Sequence, residues 1–220
     1  MSINGDRRDL RKVIKEARLY VLLTTNLCKR PVIDTARLAI SGGAEVLQLR
    51  GRDVPEKELR RLALELRELT KELGTVFIIN DSPDIAKEVQ ADGLHIGQED
   101  IPIEEARRLV GNDRLIGFSA HSLQEARHAQ ALGADYLGVG PIFRTDTKAQ
   151  ADPVGTQLIG LIVREIDIPF FAIGGINTDN IREVLDAGAK RVAVCSAIVS
   201  QEDVLAATRC FSDELGRWSS

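Results

Sequence analysis

The sequence predicts an α/β fold, a (β/α)8 TIM barrel with an extra N-terminal helix. Eight short apolar segments alternate with amphipathic helical patterns, which is the order expected of a parallel sheet with helical crossovers. Glycine-containing helix ends precede several of these segments, as in "SGGAEVLQLR" and "LGADYLGVG". Polar side chains follow almost every apolar segment, and such barrels carry their functional groups at the strand ends. An open doubly wound sheet is the alternative, but no glycine-rich phosphate fingerprint follows the first strand.

The predicted strands share short runs of Val, Ile, Leu or Phe, bounded by turn or helix-end signals. They are predicted at residues 19–24, 46–50, 76–80, 93–97, 115–119, 136–140, 170–174 and 191–195. We expect residues 18–215 to form a single barrel domain, because no segment within them has the composition of a linker. Residues 1–17 are predicted to be a helical extension that either closes the bottom of the barrel or mediates assembly.

The helices are predicted from apolar residues that recur three and four positions apart. The longest pattern, "PEKELRRLALELRELTKEL", has Leu62, Leu66 and Leu69 at this spacing. Pro55 lies near its start, where a missing N–H costs little. In "HSLQEARHAQAL", Ser122 and Glu125 have the spacing of a capping box. Further helices are predicted in "IPIEEARRLV", "NTDNIREVLDAG" and "QEDVLAATRCF".

Charge and composition narrow the class of protein. The 220 residues include 29 basic and 33 acidic side chains, and the mixture of signs along the helices argues against a nucleic-acid partner. No apolar run reaches the ~18 residues of a membrane span, and the charged N-terminus lacks a signal-peptide core. The three cysteines have neither metal nor redox spacing, which is typical of free thiols. We expect a cytoplasmic protein without a membrane partner.

Asp81 and Asp100 follow the third and fourth predicted strands. Because consecutive strands of a barrel are neighbours, both carboxylates are expected at adjacent points of one rim. Two hard oxygen ligands with room for water suit Mg²⁺, which usually also binds substrate phosphates. The alternative is that each carboxylate caps a helix, one starting near Pro83 and the other near Pro102.

Basic and amide side chains surround the end of the second strand. Gln48, Arg50 and Arg52 alternate along the chain, so we expect them on one face. An inward arginine is costly unless it is paired, and its planar fork suits phosphate oxygens. The alternative is an internal ion pair with Glu45 or Asp53.

Small residues follow the last two strands, as Gly174-Gly175 and Ser196-Ala197. Barrels often bind a phosphate between these two loops through backbone N–H groups, although turn chemistry alone is the alternative for the double glycine. A phosphate here and another near the acidic pair indicate two phosphorylated substrates that are joined across one barrel mouth. Lys148 lies in the long connection "RTDTKAQADPVG", where an exposed loop lysine is the alternative.

Two histidines and a cysteine near the strand ends receive weaker assignments. His121 is a candidate proton carrier, phosphate donor or orienting residue, with capping or packing as the alternative. His95 lies within a strand, and we expect a histidine satisfied by its neighbours. Cys195 is predicted to be a small apolar residue beside the phosphate loop, because no base is evidently paired with it.

Together the strand ends resemble the thiamine phosphate synthase family. The matching motifs are "QLRGRD", "IND", "ADGLHIGQED", "GFSAHS", "GADYLGVGPIFRTDTK", "AIGGI" and "VAVCSAI", in the family's order, over about residues 18–200. The resemblance implies a Mg²⁺-dependent transferase that condenses 4-amino-2-methyl-5-hydroxymethylpyrimidine diphosphate with a thiazole phosphate or its carboxylated form. A pyrimidine methylene cation would form when diphosphate leaves. The implied partners are these two small phosphorylated substrates, and the sequence leaves a homo-oligomer open.

The resemblance also implies site residues. The residues that would hold the pyrimidine diphosphate are Gln48, Leu49, Arg50, Gly51, Arg52, Asn80, Ser119 and Lys148. Those that would hold the thiazole phosphate are Thr145, Asp146, Thr147, Gly175, Cys195 and Ser196. Mg²⁺ would bind Asp81 and Asp100. Lys148, Arg50 and Ser119 are the implied catalytic residues, and no protein nucleophile is required.

Two positions depart from the family's usual pattern. Arg52 stands where the family often has lysine, and Ser82 stands where it often has arginine. The alternatives to the synthase are a thiazole tautomerase-like relative, in which the residue corresponding to His121 would be catalytic, and a non-catalytic phosphate-metabolite sensor. Asp100 and the complete "TDTK" motif favour the synthase.

Overall fold

The computed structural model describes residues 9–145 and 152–218, and these residues form a closed barrel of eight parallel strands. Each strand pairs with the next, and β8 pairs with β1. The strands are β1 Leu19–Thr24, β2 Val46–Arg50, β3 Val76–Asn80, β4 Gly93–Ile96, β5 Leu115–Ala120, β6 Tyr136–Val139, β7 Phe170–Ile173 and β8 Val192–Val194. The predicted TIM barrel is confirmed, and the open sheet was wrong.

Ten helices in the described residues accompany the strands. They are α1 Leu10–Glu16, α2 Val32–Ser41, α3 Glu56–Leu73, α4 Pro83–Glu88, α5 Ile103–Val110, α6 Leu123–Ala131, α7 Gln157–Glu165, α8 Ile181–Asp186, α9 Ser196–Val199 and α10 Val204–Trp218. A short 3₁₀ turn, Thr25–Leu27, follows β1. No helix within 9–145 or 152–218 is both long and apolar enough to cross a membrane.

The continuous apolar runs arise because each strand is covered on both faces. In β3, Phe77 and Ile79 pack outward against the helices, whereas Val76 and Ile78 belong to the inner cluster of the barrel. This alternation places Asn80 on the inward face, at the carboxyl end of the strand. Strands β4, β6 and β7 end one residue earlier than predicted, before a glycine in each case.

Helix α1 closes the amino end of the barrel. Ile14 is 1% exposed and packs in the inner cluster with Val46, Val76 and Leu115, which are the first residues of three strands. Asp9 caps the helix by accepting hydrogen bonds from two backbone N–H groups. Of the two roles considered for the N-terminal extension, this packing favours closure of the barrel bottom. The domain limits 1–17 and 18–215 stay a prediction.

Two half-buried acids hold the amino ends of β4 and β6. Asp92 accepts from the backbone N–H of Phe77 and pairs with Arg67. Asp135 accepts from the backbone N–H of Ile116 at 2.8 Å and pairs with Arg107 at 2.5 Å and with Arg11 at 2.7 Å. We call Asp92 and Asp135 the lower acids. Their charges are compensated within the fold.

Candidate active site

Two adjoining cavities open at the carboxyl end of the barrel. One is lined by residues from all eight strands and by the acidic residues Asp81 and Asp100, and the other extends to the loops after β6, β7 and β8. Arg50 and Ser119 line both cavities. The barrel mouth is therefore one continuous site with two chemically different halves.

Asp81 adopts an unusual backbone conformation where β3 ends. Its φ is +60°, in the left-handed region that few residues other than Gly, Asn and Asp occupy. Its N–H donates to the carbonyl oxygen of His95 at 2.9 Å, which fixes this turn to β4. Its Oδ2 accepts from Nε and Nη2 of Arg52 at 2.7 and 2.5 Å. Both contacts fall on one oxygen, so the pair is not a two-oxygen fork.

Asp100 lies beside Asp81 and is held by its own turn. Its Oδ2 accepts from the N–H of Gly97 at 2.7 Å. The residues that precede α4 and α5 make no side-chain cap hydrogen bond, so neither acid performs the helix-capping role considered as the alternative. Burial raises the pKa of Asp81, the Arg52 guanidinium opposes this rise, and the carboxyl of Asp100 adds to it.

This pair fits a divalent cation whose other ligands come from water and substrate. Among the described residues, no group of three or more His, Cys, Asp or Glu side chains could hold a metal by itself. The Asp100 carboxyl raises the pKa of Asp81, and two adjacent carboxylates of this kind are a donor set that suits Mg²⁺, which usually also binds substrate phosphates.

Arg50 ends β2 with its guanidinium between the two cavities. Among residues 9–145 and 152–218, this group has no hydrogen-bond or ion-pair partner. The alternative partners are engaged elsewhere, because Glu45 accepts from two backbone N–H groups and Asp53 accepts from Thr25. The internal ion pairs considered from the sequence were therefore wrong, and Arg50 is placed to bind an anion.

The other predicted residues near β2 have different positions. Leu49 is 1% exposed in the outer, helix-facing core, so its side chain does not line the mouth. Gly51 lies in a tight loop, where an added Cβ would meet the side chains of Leu59 and Val54 within 3 Å. Asn80 lines the cavity of the acidic half. Ser82, the second departure from the family pattern, immediately precedes α4.

The floor of the acidic half is a row of hydrogen-bonded side chains, which we call the polar row. Its members are Gln48, Tyr20, Tyr136, His95 and Ser119. In that order the successive donor–acceptor distances are 2.7, 3.1, 3.2 and 3.0 Å. His95 is thereby the satisfied histidine that the sequence predicted. The sequence analysis missed both tyrosines, although they are the two tyrosines of the chain and each lies in a strand.

The opposite half of the mouth is built mainly from backbone. Gly174 and Gly175 have φ of +100° and +65°, and a Cβ on Gly175 would lie 2.4 Å from the carbonyl oxygen of Arg144. The double glycine therefore has a conformational role in addition to lining the cavity. Thr145 and Ser196 line the same cavity, and Ser196 begins the short helix α9.

Cys195 and His121 lie at the edge of this half. Burial raises the pKa of the Cys195 thiol, and its sulfur lies 3.2 Å from Oγ1 of Thr24. This agrees with the predicted packing role and disfavours a thiolate nucleophile. Nδ1 of His121 is hydrogen-bonded to the carbonyl oxygen of Gly140, and its backbone N–H donates to Glu125.

The capping box at α6 forms with one difference. Ser122 accepts from the N–H of Glu125 at 3.2 Å, as predicted. The Glu125 carboxylate returns to the N–H of His121, one residue before the cap. Asp146, Thr147 and Lys148, which the sequence assigned to the site, lie outside the described residues.

Comparisons with known proteins agree with this geometry. The family model "Thiamine monophosphate synthase" matches residues 19–198. A thiamine-phosphate synthase of Moorella thermoacetica is 48% identical over 193 residues, 87% of this chain and 92% of that protein. One of Methanocella arvoryzae is 50% identical over 177 residues, 80% of this chain and 84% of that protein.

A solved structure is similar over nearly the whole chain. It is a thiamine phosphate pyrophosphorylase from Pyrococcus furiosus, with a TM-score of 0.87 and 39% identity. The alignment covers 94% of this chain and all of that one.

Proposed function

This chain belongs to the thiamine monophosphate synthase family, and from that premise we propose how its barrel mouth carries out the condensation. The enzyme is a transferase of thiamine biosynthesis that joins a pyrimidine diphosphate to a thiazole phosphate and releases diphosphate. The observation that carries the proposal is the shared wall of the two cavities, because Arg50 lines both. Two anionic substrates can therefore lie side by side around one cation.

The acidic half would take the pyrimidine diphosphate. Arg50 and Arg52 would contact phosphate oxygens through their planar guanidinium groups, and Asn80, Gln48 and Ser119 would contact the ring or its substituents. Only backbone groups of Leu49 and Gly51 can contribute, because the Leu49 side chain faces the helices.

Asp81 and Asp100 would hold Mg²⁺ together with diphosphate oxygens. When bound, the ion neutralises charge on the leaving diphosphate. Arg52, which contacts Oδ2 of Asp81 in this structure, would exchange that contact for oxygens of the substrate diphosphate. Arg52 is 58% exposed at its side chain, so this rearrangement requires little repacking.

The chemistry requires departure of diphosphate before the new bond forms. The C–O bond between the pyrimidine methylene carbon and diphosphate breaks, and the bonding electrons leave with diphosphate. The ring nitrogen of the thiazole then attacks the methylene cation and forms the C–N bond. Arg50 and Lys148 would stabilise the growing negative charge on the leaving group, and the apolar walls near Leu22 and Ile173 would limit access of water to the cation.

The loop half would take the thiazole phosphate. Backbone groups around Gly175 and Ser196 would bind its phosphate, with Thr145, Asp146 and Thr147 from the loop after β6. Cys195 would pack beside it. This division places the nucleophilic ring between Arg50 and the two loops.

The test is diphosphate release, measured by a coupled assay with purified protein. We expect release only when both substrates and Mg²⁺ are present, with stoichiometric formation of thiamine phosphate. Tight binding of a thiazole phosphate without turnover would instead indicate a sensor, and isomerisation of the thiazole without diphosphate chemistry would indicate a tautomerase. A further check is Lys148→Ala, which should lower the single-turnover rate more than the affinity for the pyrimidine diphosphate.

A further inference from the structure

The polar row is a chain of hydrogen-bonded side chains, four of which are buried. Gln48 is 3% exposed, His95 is 9% exposed, and Tyr20 and Tyr136 are each at most 2% exposed. The five residues of the row belong to β1, β2, β4, β5 and β6, so the row spans the barrel beneath the mouth. Its two ends, Gln48 and Ser119, are also residues that would contact the pyrimidine.

The hydrogen atoms in this row can be assigned in one direction. Burial raises the pKa of both tyrosine phenols, so each keeps its hydrogen and needs an acceptor for it. The Tyr20 hydroxyl has two hydrogen-bond partners in the described part of the chain, Gln48 Nε2 and Tyr136. An amide nitrogen cannot accept. The Tyr20 hydrogen therefore points to Tyr136.

This direction passes on to the histidine and the serine. The Tyr136 oxygen already accepts from Tyr20, so its own hydrogen goes to Nδ1 of His95, 3.2 Å away. A ring that accepts at Nδ1 is neutral and carries its hydrogen on Nε2. Nε2 then donates to Oγ of Ser119 at 3.0 Å. The Ser119 hydrogen is consequently left for an acceptor in the cavity.

The other end of the row has the opposite polarity. The Gln48 amide nitrogen donates to Tyr20 at 2.7 Å, so the amide is held in one orientation. Its carbonyl oxygen is then the group available to a ligand, and that oxygen only accepts. The cavity floor therefore offers one hydrogen-bond acceptor at Gln48 and one donor at Ser119.

We propose that Tyr20, Tyr136 and His95 are positioning residues that fix this polarity and thereby select an aminopyrimidine over its oxo counterpart. The inference rests on the proposed function for its substrate class. A 4-aminopyrimidine presents an amino donor for Gln48 and a ring-nitrogen acceptor for Ser119, which complements the floor. The 4-oxo ring presents a carbonyl acceptor beside an N–H donor, which is the reverse pattern and leaves both buried protein groups mismatched.

The first test measures the His95 tautomer in the free protein, so it does not depend on activity. The chain has three histidines, and long-range ¹H–¹⁵N spectra of the imidazoles resolve Nδ1–H from Nε2–H. His95→Gln assigns the signal, and His128→Gln, at an exposed position on α6, is the control that should leave it unchanged. We expect the neutral Nε2–H form. A dominant Nδ1–H form would mean that the row runs from Ser119 to Gln48, and it would overturn the proposal.

The second test removes single hydroxyl groups from the row. Tyr136→Phe takes the donor from Nδ1, and we expect a mixture of His95 tautomers in place of one. An unchanged tautomer would overturn the role of Tyr136. The direction of hydrogen-bond donation along the row is read from the His95 tautomer of the wild type, which requires no tyrosine variant to fold.

The third test measures selectivity by equilibrium binding. Its probes are the amino- and oxo-pyrimidine monophosphates, which lack the diphosphate leaving group. The wild type should prefer the amino compound, and Tyr20→Phe, which frees the Gln48 amide to rotate, should lower this preference about tenfold. The affinity for thiazole phosphate should not change. An unaltered preference in Tyr20→Phe would overturn positioning, whereas wild-type protein that binds neither compound but has the Nε2–H tautomer would count against the proposed function alone.

Discussion

The two ends of this barrel use the same side chain in opposite ways. The lower acids, Asp92 and Asp135, each pair with an arginine and accept a backbone N–H bond. At the mouth, Asp81 and Asp100 lie next to each other, and Arg52, which contacts Asp81, is largely exposed. The lower acids are compensated within the fold, whereas we propose that the pair at the mouth serves a ligand.

The difference shows that the role of an acidic residue cannot be inferred from its position next to a strand alone. Asp92 in "ADGLH" and Asp81 in "IINDS" are both adjacent to apolar strands. What separates them is which end of the strand they occupy, since functional groups lie at the carboxyl ends in barrels of this type.

The largest effect is expected from metal removal. If the pair at the mouth binds Mg²⁺, excess EDTA should reduce diphosphate release by at least about 10³-fold, since the leaving group then lacks its main counter-charge. Added Mg²⁺ should restore the rate. Thermal unfolding of the free protein should not respond to EDTA, because the lower acids are compensated by arginine. Full activity in EDTA would remove the proposed distinction between the two ends.

Next in size is Asp100→Asn at the mouth. The amide can still accept from the N–H of Gly97, so the free energy of unfolding should change by less than ~1 kcal/mol. Loss of a charged metal ligand should lower kcat by about 10²–10³-fold at saturating substrate. The measurements are initial rates over a Mg²⁺ series and chemical denaturation. A destabilised variant with normal kcat would place Asp100 with the lower acids.

The matched change at the other end is Asp135→Ala. It leaves Arg107 and the N–H of Ile116 without their acidic partner, and breaking a buried pair in this way costs ~3 kcal/mol or more. The rate per folded molecule should stay within about twofold of wild type, since the site is at the opposite end. Urea unfolding measures the loss of stability, and active-site titration gives the concentration of folded enzyme that is needed for the rate per molecule. A fall in kcat without loss of stability would contradict the comparison.

A smaller effect should separate two glycines at opposite ends. Gly175 at the mouth and Gly133 before β6 both have positive φ, so alanine strains each backbone by about 1 kcal/mol. A Cβ at Gly133 meets nothing within 4 Å, whereas one at Gly175 meets the Arg144 carbonyl oxygen at 2.4 Å. Gly175→Ala should therefore also raise the KM for thiazole phosphate about tenfold. Equal KM values in the two variants would show that the loop after β7 does not bind this substrate.

Much of the fold could be predicted because its signals are local. The alternation of apolar strands with helical periodicity depends on neighbours within a few residues, and it predicted both ends of all eight strands to within one residue. The same pattern placed Asp81, Asp100 and Arg50 at strand ends, and so at the mouth. Leu49 shows the limit, because its place in a motif said nothing about the face on which its side chain lies.

The sequence by itself determined the barrel, the family and the set of charged residues at its mouth, because chain order and periodicity are properties of neighbouring residues. Only the tertiary structure decided how those residues pair. Tyr20 and Tyr136 are 116 positions apart, and Arg52 reaches Asp81 across 29 positions. Such contacts depend on strand register and barrel closure, which bring distant side chains within hydrogen-bond distance. Through that geometry Tyr20 and Tyr136, which belong to no sequence motif, form part of the floor of the barrel mouth.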